Sequence, residues 1–244
     1  MQPLSAYELL RVWEEGQGEP PYRQALLLLA AACPGESPEE ILGLSIGSRD
    51  SRLLTLREWT FGPELTSLTA CPACGERLEF SLNVSDIRVS APDTRNPGLH
   101  LALDDYSLDF RLPNTGDLIE AGRSLNLEQI QRVLIGRCVR DARRYDEPMA
   151  AENLPPQVVE ALASRMAEAD PQADTRLALS CPGCGHHWQA LFDIVSFFWG
   201  EIQAWVLRIL REVHLLASAY GWHEADILAM SPMRRRIYLG MVAV

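Results

Sequence analysis

Two matching phrases constrain this chain more than any other feature: Cys71-Pro72-Ala73-Cys74-Gly75 and Cys181-Pro182-Gly183-Cys184-Gly185. Each sets two thiols two residues apart on a tight turn, so both sulfurs can grip a metal ion from one side. Two such knuckles complete a tetrahedral four-thiolate set of the kind that holds structural zinc, with Zn–S near ~2.3 Å. The glycine after each second cysteine suits a backbone position with φ > 0, which turns amide N–H groups toward the sulfurs. Strand-like residues flank both knuckles: Leu68-Thr69-Ala70 and Leu78 to Leu82 around the first, Leu177 to Ser180 and Trp188 to Phe192 around the second. The alternation predicts a strand, a knuckle and a strand at each place.

Between the two knuckles lie 106 residues, from Cys74 to Cys181. Loop-closure entropy grows only logarithmically, so this insertion costs about 1.5 kcal/mol more than one of ~20 residues. Structural zinc contributes roughly 10–16 kcal/mol in small peptides, so the metal decides the balance. The expectation is one zinc ribbon, discontinuous in sequence, with a mostly helical insert hanging from it. Cys71, Cys74, Cys181 and Cys184 are its ligands and one structural Zn2+ is its cofactor. Four thiolates leave no open position for water, so a catalytic zinc is not expected. A thioredoxin-like redox pair needs a helix starting at the first cysteine, and here each knuckle is followed by a strand. His186 and His187 could stand in for a cysteine, but with four available they read as exposed hairpin residues.

With 244 residues, 47% of them hydrophobic, the chain can bury one large core or two small ones. Net charge is −11 and all 22 basic residues are arginine. From Glu201 onward five arginines meet four acids, so the first 200 residues carry 17 − 29 = −12. An acidic body repels phosphate, which sets nucleic-acid binding behind other readings despite the ribbon motif. Arg234-Arg235-Arg236 is the one basic cluster, expected on a solvated helix face. Cys33 and Cys138 lie in apolar helical surroundings and read as buried thiols.

The run from Leu26 to Cys33 imitates a lipoprotein signal, but acids and Pro20-Pro21 precede it where a basic leader is needed. A buried helix is the better reading, and no stretch reaches the ~20 apolar residues of a membrane span. A soluble, cytoplasmic protein without membrane contact is expected.

The fold class is α+β, predominantly helical, with the small discontinuous ribbon at its centre. Residues 1–65 form a helical segment: capping boxes at Ser5-Ala6-Tyr7-Glu8 and Ser37-Pro38-Glu39-Glu40 start two helices, a third runs from about Tyr22 to Cys33, and Asp50 caps a fourth. Residues 66–86 and 176–192 make the ribbon. The insert, 87–175, has a half-buried strand at Tyr106 to Leu112, then helices at Asp117–Gly122, Leu127–Arg140 and from Leu154-Pro155-Pro156 to Ala169. Arg140 to Glu147 reads as a mixed-charge surface stretch. In the arm, 193–244, Ile202, Trp205, Val206, Ile209, Leu210, Val213, Leu216, Ala217 and Tyr220 form an apolar stripe ending at Gly221, a C′ cap. His223–Met230 and a segment opened by Ser231-Pro232 are the last helices. The stripe reads as core, and the end Ile237 to Val242 as the better partner surface.

No phosphate loop, nucleophile elbow or His-Glu-x-x-His is present. His214 and His223 stand alone. Asp104-Asp105 are neighbours that point to opposite faces of a strand, so they form no working carboxylate pair. A non-enzyme without a small-molecule substrate is expected.

Several phrases together carry a resemblance. They are Ile46-Gly47-Ser48-Arg49-Asp50 through Phe61-Gly62, the first knuckle, Asp109-Phe110-Arg111-Leu112-Pro113 with Asp117-Leu118, the second knuckle, Glu212-Val213-His214 through Tyr220-Gly221-Trp222, and Arg234-Arg235 with Tyr238-Leu239. In that order, from about residue 25 onward, the chain resembles baseplate and baseplate-hub assembly proteins and chaperones of contractile phage tails and tail-like injection particles. The resemblance implies baseplate or hub proteins as partners and supplies no site residues beyond the four knuckle cysteines. Two other readings stand beside it: a nucleic-acid-binding ribbon accessory, and a thiol redox or metal-responsive regulator.

Overall fold

A computed structural model describes residues 1–89, 98–124 and 126–242. Four helices open the chain: α1 (Ala6–Glu15), α2 (Pro21–Ala32), α3 (Pro38–Leu42) and α4 (Ile46–Phe61). Both expected capping boxes are formed, with Glu8 N donating to Ser5 Oγ at 3.3 Å and Glu40 N to Ser37 Oγ at 3.2 Å. The run that imitates a signal is α2, whose Ala25, Leu28, Leu29 and Ala32 are wholly buried. The helix cap expected at Asp50 lies five residues earlier. Ser45 is that cap, accepting from Ser48 N at 3.2 Å, and Asp50 instead pairs with Arg49 inside the helix. A serine cap followed by Ile-Gly lacks the acid three residues on that marks a capping box, so the sequence favoured the more polar Asp50.

The hairpin β1 (Glu64–Ala70) and β2 (Arg77–Asn83) follows, then the short helix α5 (Val84–Ile87). The insert adds β3 (Leu99–Leu103), β4 (Tyr106–Phe110), α6 (Thr115–Ala121), α7 (Leu127–Cys138), β5 (Val139–Arg144), β6 (Glu147–Pro148) and α8 (Pro156–Ala169). Its strands form one antiparallel sheet in the order β3-β4-β5-β6. The insert is therefore less helical than expected, and the stretch taken for mixed-charge surface supplies β5. Ala142 on that strand pairs with Leu108 and both are buried, with Leu154 and Val158 of the α8 region packed on them. Arginines and Asp141 occupy most other β5 positions, so strand pairing here comes from the fit to β4, not from β propensity. Asp104 and Asp105 are the two-residue turn between Leu103 and Tyr106, not strand residues.

The second hairpin, β7 (Arg176–Ser180) and β8 (His187–Leu191), leads into α9 (Ile194–Tyr220), α10 (Glu224–Ala229) and α11 (Pro232–Val242). Asp193 caps α9, accepting from Val195 N at 3.0 Å, and left-handed Gly221 ends it. The stripe on α9 faces the protein's own core: Ile202, Val206, Ile209, Val213 and Leu216 are buried against helices of both ends of the chain. Each such side chain contributes roughly 1.5–3 kcal/mol over leaving it exposed. Leu210 and Tyr220 of the same stripe are exposed. Tyr220 stacks on Trp222 with centroids 4.5 Å apart, and Tyr238 meets both rings edge-on. At the end of the chain Ile237 and Met241 are exposed while Tyr238 and Leu239 pack on the core. Among the described residues no helix is long and apolar enough to cross a membrane.

A candidate metal centre

Both hairpins build the same knuckle. Cys71 N donates to Glu76 O at 2.8 Å and Gly75 N to Cys71 O at 2.9 Å; Cys181 N donates to His186 O and Gly185 N to Cys181 O, both at 2.9 Å. Gly75 and Gly185 take φ of 76° and 72°, the left-handed region the sequence pattern called for. The hairpins are separate two-stranded sheets, and among the described residues no ladder joins them. They meet at their tips, where the sulfurs of Cys71, Cys74, Cys181 and Cys184 all lie within 4.8 Å of one another. The closest approaches cross between knuckles: Cys71 Sγ to Cys184 Sγ and Cys74 Sγ to Cys181 Sγ are each 3.7 Å.

The first cysteine of each knuckle is buried and the second exposed, so the cluster sits at the protein surface with one side open. Burial disfavours a Cys71 thiolate, but the N–H groups of Cys74 and Ala73 and the neighbouring thiols outweigh it and hold the group down to about 7. Cys74 gains from the Glu76 N–H, yet its hydrogen bonds with the other thiols and burial push it up to about 12. Cys71 therefore ionises ahead of Cys74. Among the described residues this is the one group of three or more His, Cys, Asp or Glu side chains placed to share an ion. His186 and His187 are exposed, and His186 stacks on Trp188 with centroids 5.9 Å apart.

The other two cysteines are buried and separate. Cys33 and Cys138 both have thiols raised by burial, Cys138 to about 11. His214 and His223 are exposed. The basic cluster is not a uniform solvated face: Arg235 is 4% exposed, donating to Glu212 Oε2 at 3.0 Å and to Met230 O at 2.5 Å.

Sequence reasoning missed the polar ties that hold the hairpins to the rest of the fold. Buried Gln172 donates to Ile87 O at 3.1 Å and to Thr175 Oγ1 at 2.8 Å, and accepts from Val89 N at 2.8 Å. It therefore links the exit of the first hairpin to the entry of the second. Asp170, two residues earlier, accepts from Gly47 N at 2.8 Å and so caps α4 from 123 residues away. Asp117 is fully buried; Arg111 forks onto it and Arg137 Nε donates at 2.7 Å. No local motif announces such contacts between distant segments.

The arrangement defines an α+β protein in which two cysteine knuckles, brought together from either side of a long insert, offer a four-sulfur site able to hold a metal ion. The chain matches the family model described as T4 bacteriophage base plate protein over residues 4–199, and it belongs to that family. Neither the curated protein sequences nor the solved structures give a match.

Proposed function

We propose that this baseplate-family chain is a non-enzymatic assembly or structural protein of a contractile phage tail or tail-like injection particle, stapled by one structural Zn2+. The observation that carries the reading is the family match over residues 4–199. Beside it stands a four-cysteine cluster with no open coordination position. A tetrahedral site with Zn–S of ~2.3 Å has edges of ~3.8 Å. The cross-knuckle sulfur separations of 3.7 Å fit that figure. Bound zinc would supply a rigid tie between the two hairpins, with all four cysteines as thiolates. Its partners in this reading are baseplate or hub proteins, met in the host cytoplasm during assembly, with no membrane and no small-molecule substrate involved.

The nucleic-acid alternative loses support from Arg235, which faces Glu212 instead of solvent and leaves two arginines of the cluster outside. The test is a tagged chain expressed with its tail cluster, paired with a deletion strain. Recovery of baseplate or hub subunits and defective particles on deletion are expected. Recovery of none, with intact particles in the deletion strain, would overturn the reading. Metal analysis should give one zinc per chain with four protected thiols, whereas rapid reversible disulfides would favour the redox alternative.

A further inference from the structure

Among the described residues strand β7 has one strand partner, β8, and one open edge. At the two ends of its ladder with β8, Phe192 N donates to Thr175 O and Cys181 N to His186 O, both at 2.9 Å. With the register Leu177↔Ala190 and Leu179↔Trp188 between them, the odd-numbered residues exchange their bonds with β8. The N–H and C=O groups of Arg176, Ala178 and Ser180 therefore point the other way. Among the described residues no strand or isolated bridge pairs with that edge.

The edge opens on a groove of about 470 Å³ between the two hairpins. Four consecutive residues, Arg176 to Leu179, line it. Side chains alternate along a strand, so consecutive residues reach one groove only where the strand shows its edge. Across the groove the alternate residues Phe80 and Leu82 present the half-buried inner face of the first hairpin. Gln172 fixes one end, its buried side chain bonded to Ile87 and Val89 after the first hairpin and to Thr175 just before the second.

Exposed strand edges are commonly blocked by a lysine or proline at mid-strand. Here the middle residue is Ala178, and Arg176 is drawn aside by Asp174, whose two carboxylate oxygens lie 3.0 Å from its Nε. The lining carries Asp86 and Asp174 against Arg176, a net single negative charge on a chain whose total is −11.

We infer that the β7 edge is a strand-addition site for an extended segment of a partner protein. The segment is apolar at alternate positions, to cover Phe80 and Leu82, and neutral or basic between them, to suit the acidic lining. Backbone bonds to Arg176, Ala178 and Ser180 would supply affinity and the apolar contacts specificity. The identity of the partner as a tail subunit rests on the proposed function; the edge and the groove do not.

Two arms test this on the full chain. In the first, binding to the co-expressed tail proteins is compared for wild type, Ala178→Pro, Ala178→Thr and Phe80→Asp. Proline removes an outward N–H and leaves the β8 ladder intact, as edge positions permit. Ala178→Pro and Phe80→Asp should each weaken binding about tenfold or more, the scale of one lost backbone bond with added steric or charge conflict, while Ala178→Thr retains it. Equal binding by both blocking variants overturns the inference and leaves the proposed function standing. In the second arm, a decapeptide of alternating valine and arginine is added to purified protein and amide exchange is followed. Slowing confined to the β7 edge amides supports the site, and unchanged exchange there overturns it. Because this arm uses no tail protein, it decides the inference even if wild type binds no tail subunit, an outcome that bears on the proposed function and not on the edge. Concentration-dependent protection of the same amides without peptide would mean a second copy is the occupant and would overturn the partner-segment assignment.

Discussion

Replacing Gly47 by alanine should destabilise this protein, although alanine is the better helix former by up to ~1 kcal/mol. Gly47 is the second residue of α4, and its N–H donates to buried Asp170 Oδ2 at 2.8 Å. A Cβ added there would fall on the Asp170 carboxylate, 2.7 Å from its Cγ and 3.0 Å from Ala173 N. The carboxylate must move, which removes a charge-assisted hydrogen bond worth ~1.5–3 kcal/mol and adds overpacking strain of ~1–3 kcal/mol. Against the propensity gain the net loss is about 2–4 kcal/mol. For a chain of this size that lowers the melting temperature by roughly 5–15 °C. Thermal melts of Gly47→Ala beside Gly200→Ala provide the assay, because Gly200 in α9 has nothing within 4 Å of an added Cβ and should gain stability. In an Asp170→Ala background the obstacle is gone, so Gly47→Ala should become neutral or favourable. If Gly47→Ala melts at or above wild type, or if its effect survives Asp170→Ala unchanged, the proposed link between insert and N-terminal core is wrong.

Cys74→Ser and Cys181→Ser should each yield insoluble or partly unfolded protein, since one missing ligand undoes a site of roughly 10–16 kcal/mol; wild-type-like melting of either variant would contradict the metal staple. For Asp117, burial opposes ionisation but the Arg111 fork, the Asn114 N–H and Arg137 hold its carboxyl down from 3.8 to about 2. A depressed carboxylate contributes stability that is present above the unfolded value and lost as pH falls through the folded one, so about 2 kcal/mol should disappear between roughly pH 4 and pH 2. Asp117→Asn should flatten that part of the acid-unfolding curve, and an unchanged slope would remove the assignment. Arg57 is 2% exposed and forks onto Glu201 at 2.6 and 2.8 Å while donating to Gly62 O. Arg57→Ala should therefore cost ~3–5 kcal/mol in denaturant titration, and a loss below ~1 kcal/mol would show the pair to be incidental.

The sequence announced what local chemistry decides. The knuckle glycines needed positive φ, Ser5 and Ser37 stood three residues before a glutamate, and the α9 residues recurred at helical spacing up to Gly221. Each of these signals lies within a few residues and has one physical solution. What stayed hidden depends on partners far along the chain. Val139 to Arg144 is charged at most positions and forms a strand because β4 offers Leu108 and Phe110 beside it. Arg235 looked like one of three solvated arginines, but Glu212 lies one helix away, at 23 residues' separation, and accepts its Nε. Ser45 outcompeted Asp50 as a cap because Asp170 arrives from the insert to satisfy the neighbouring N–H of Gly47.

The position of the cysteine cluster follows from what the hairpins cannot do for themselves. A two-stranded hairpin is marginal alone, and apart from fully buried Leu65 the inner faces of these two are only half-buried. The large core lies among the helices, with α9 at its middle, and a second small core lies in the insert. Between the two cores the chain passes through both hairpins, so any looseness there would let the insert swing. Gln172 and Asp170 fix the hairpin bases and the α4 end with neutral and charge-assisted hydrogen bonds. Between the tips the described contacts are those of the four sulfurs, which lie within 4.8 Å of one another. A shared ion at the tips and hydrogen bonds at the bases would hold the hairpins at both ends while leaving the groove between them open along the β7 edge. Rigid ends with an unpaired edge between them are what a preorganised strand-binding site requires, because the cost of ordering the receptor is met before the partner arrives.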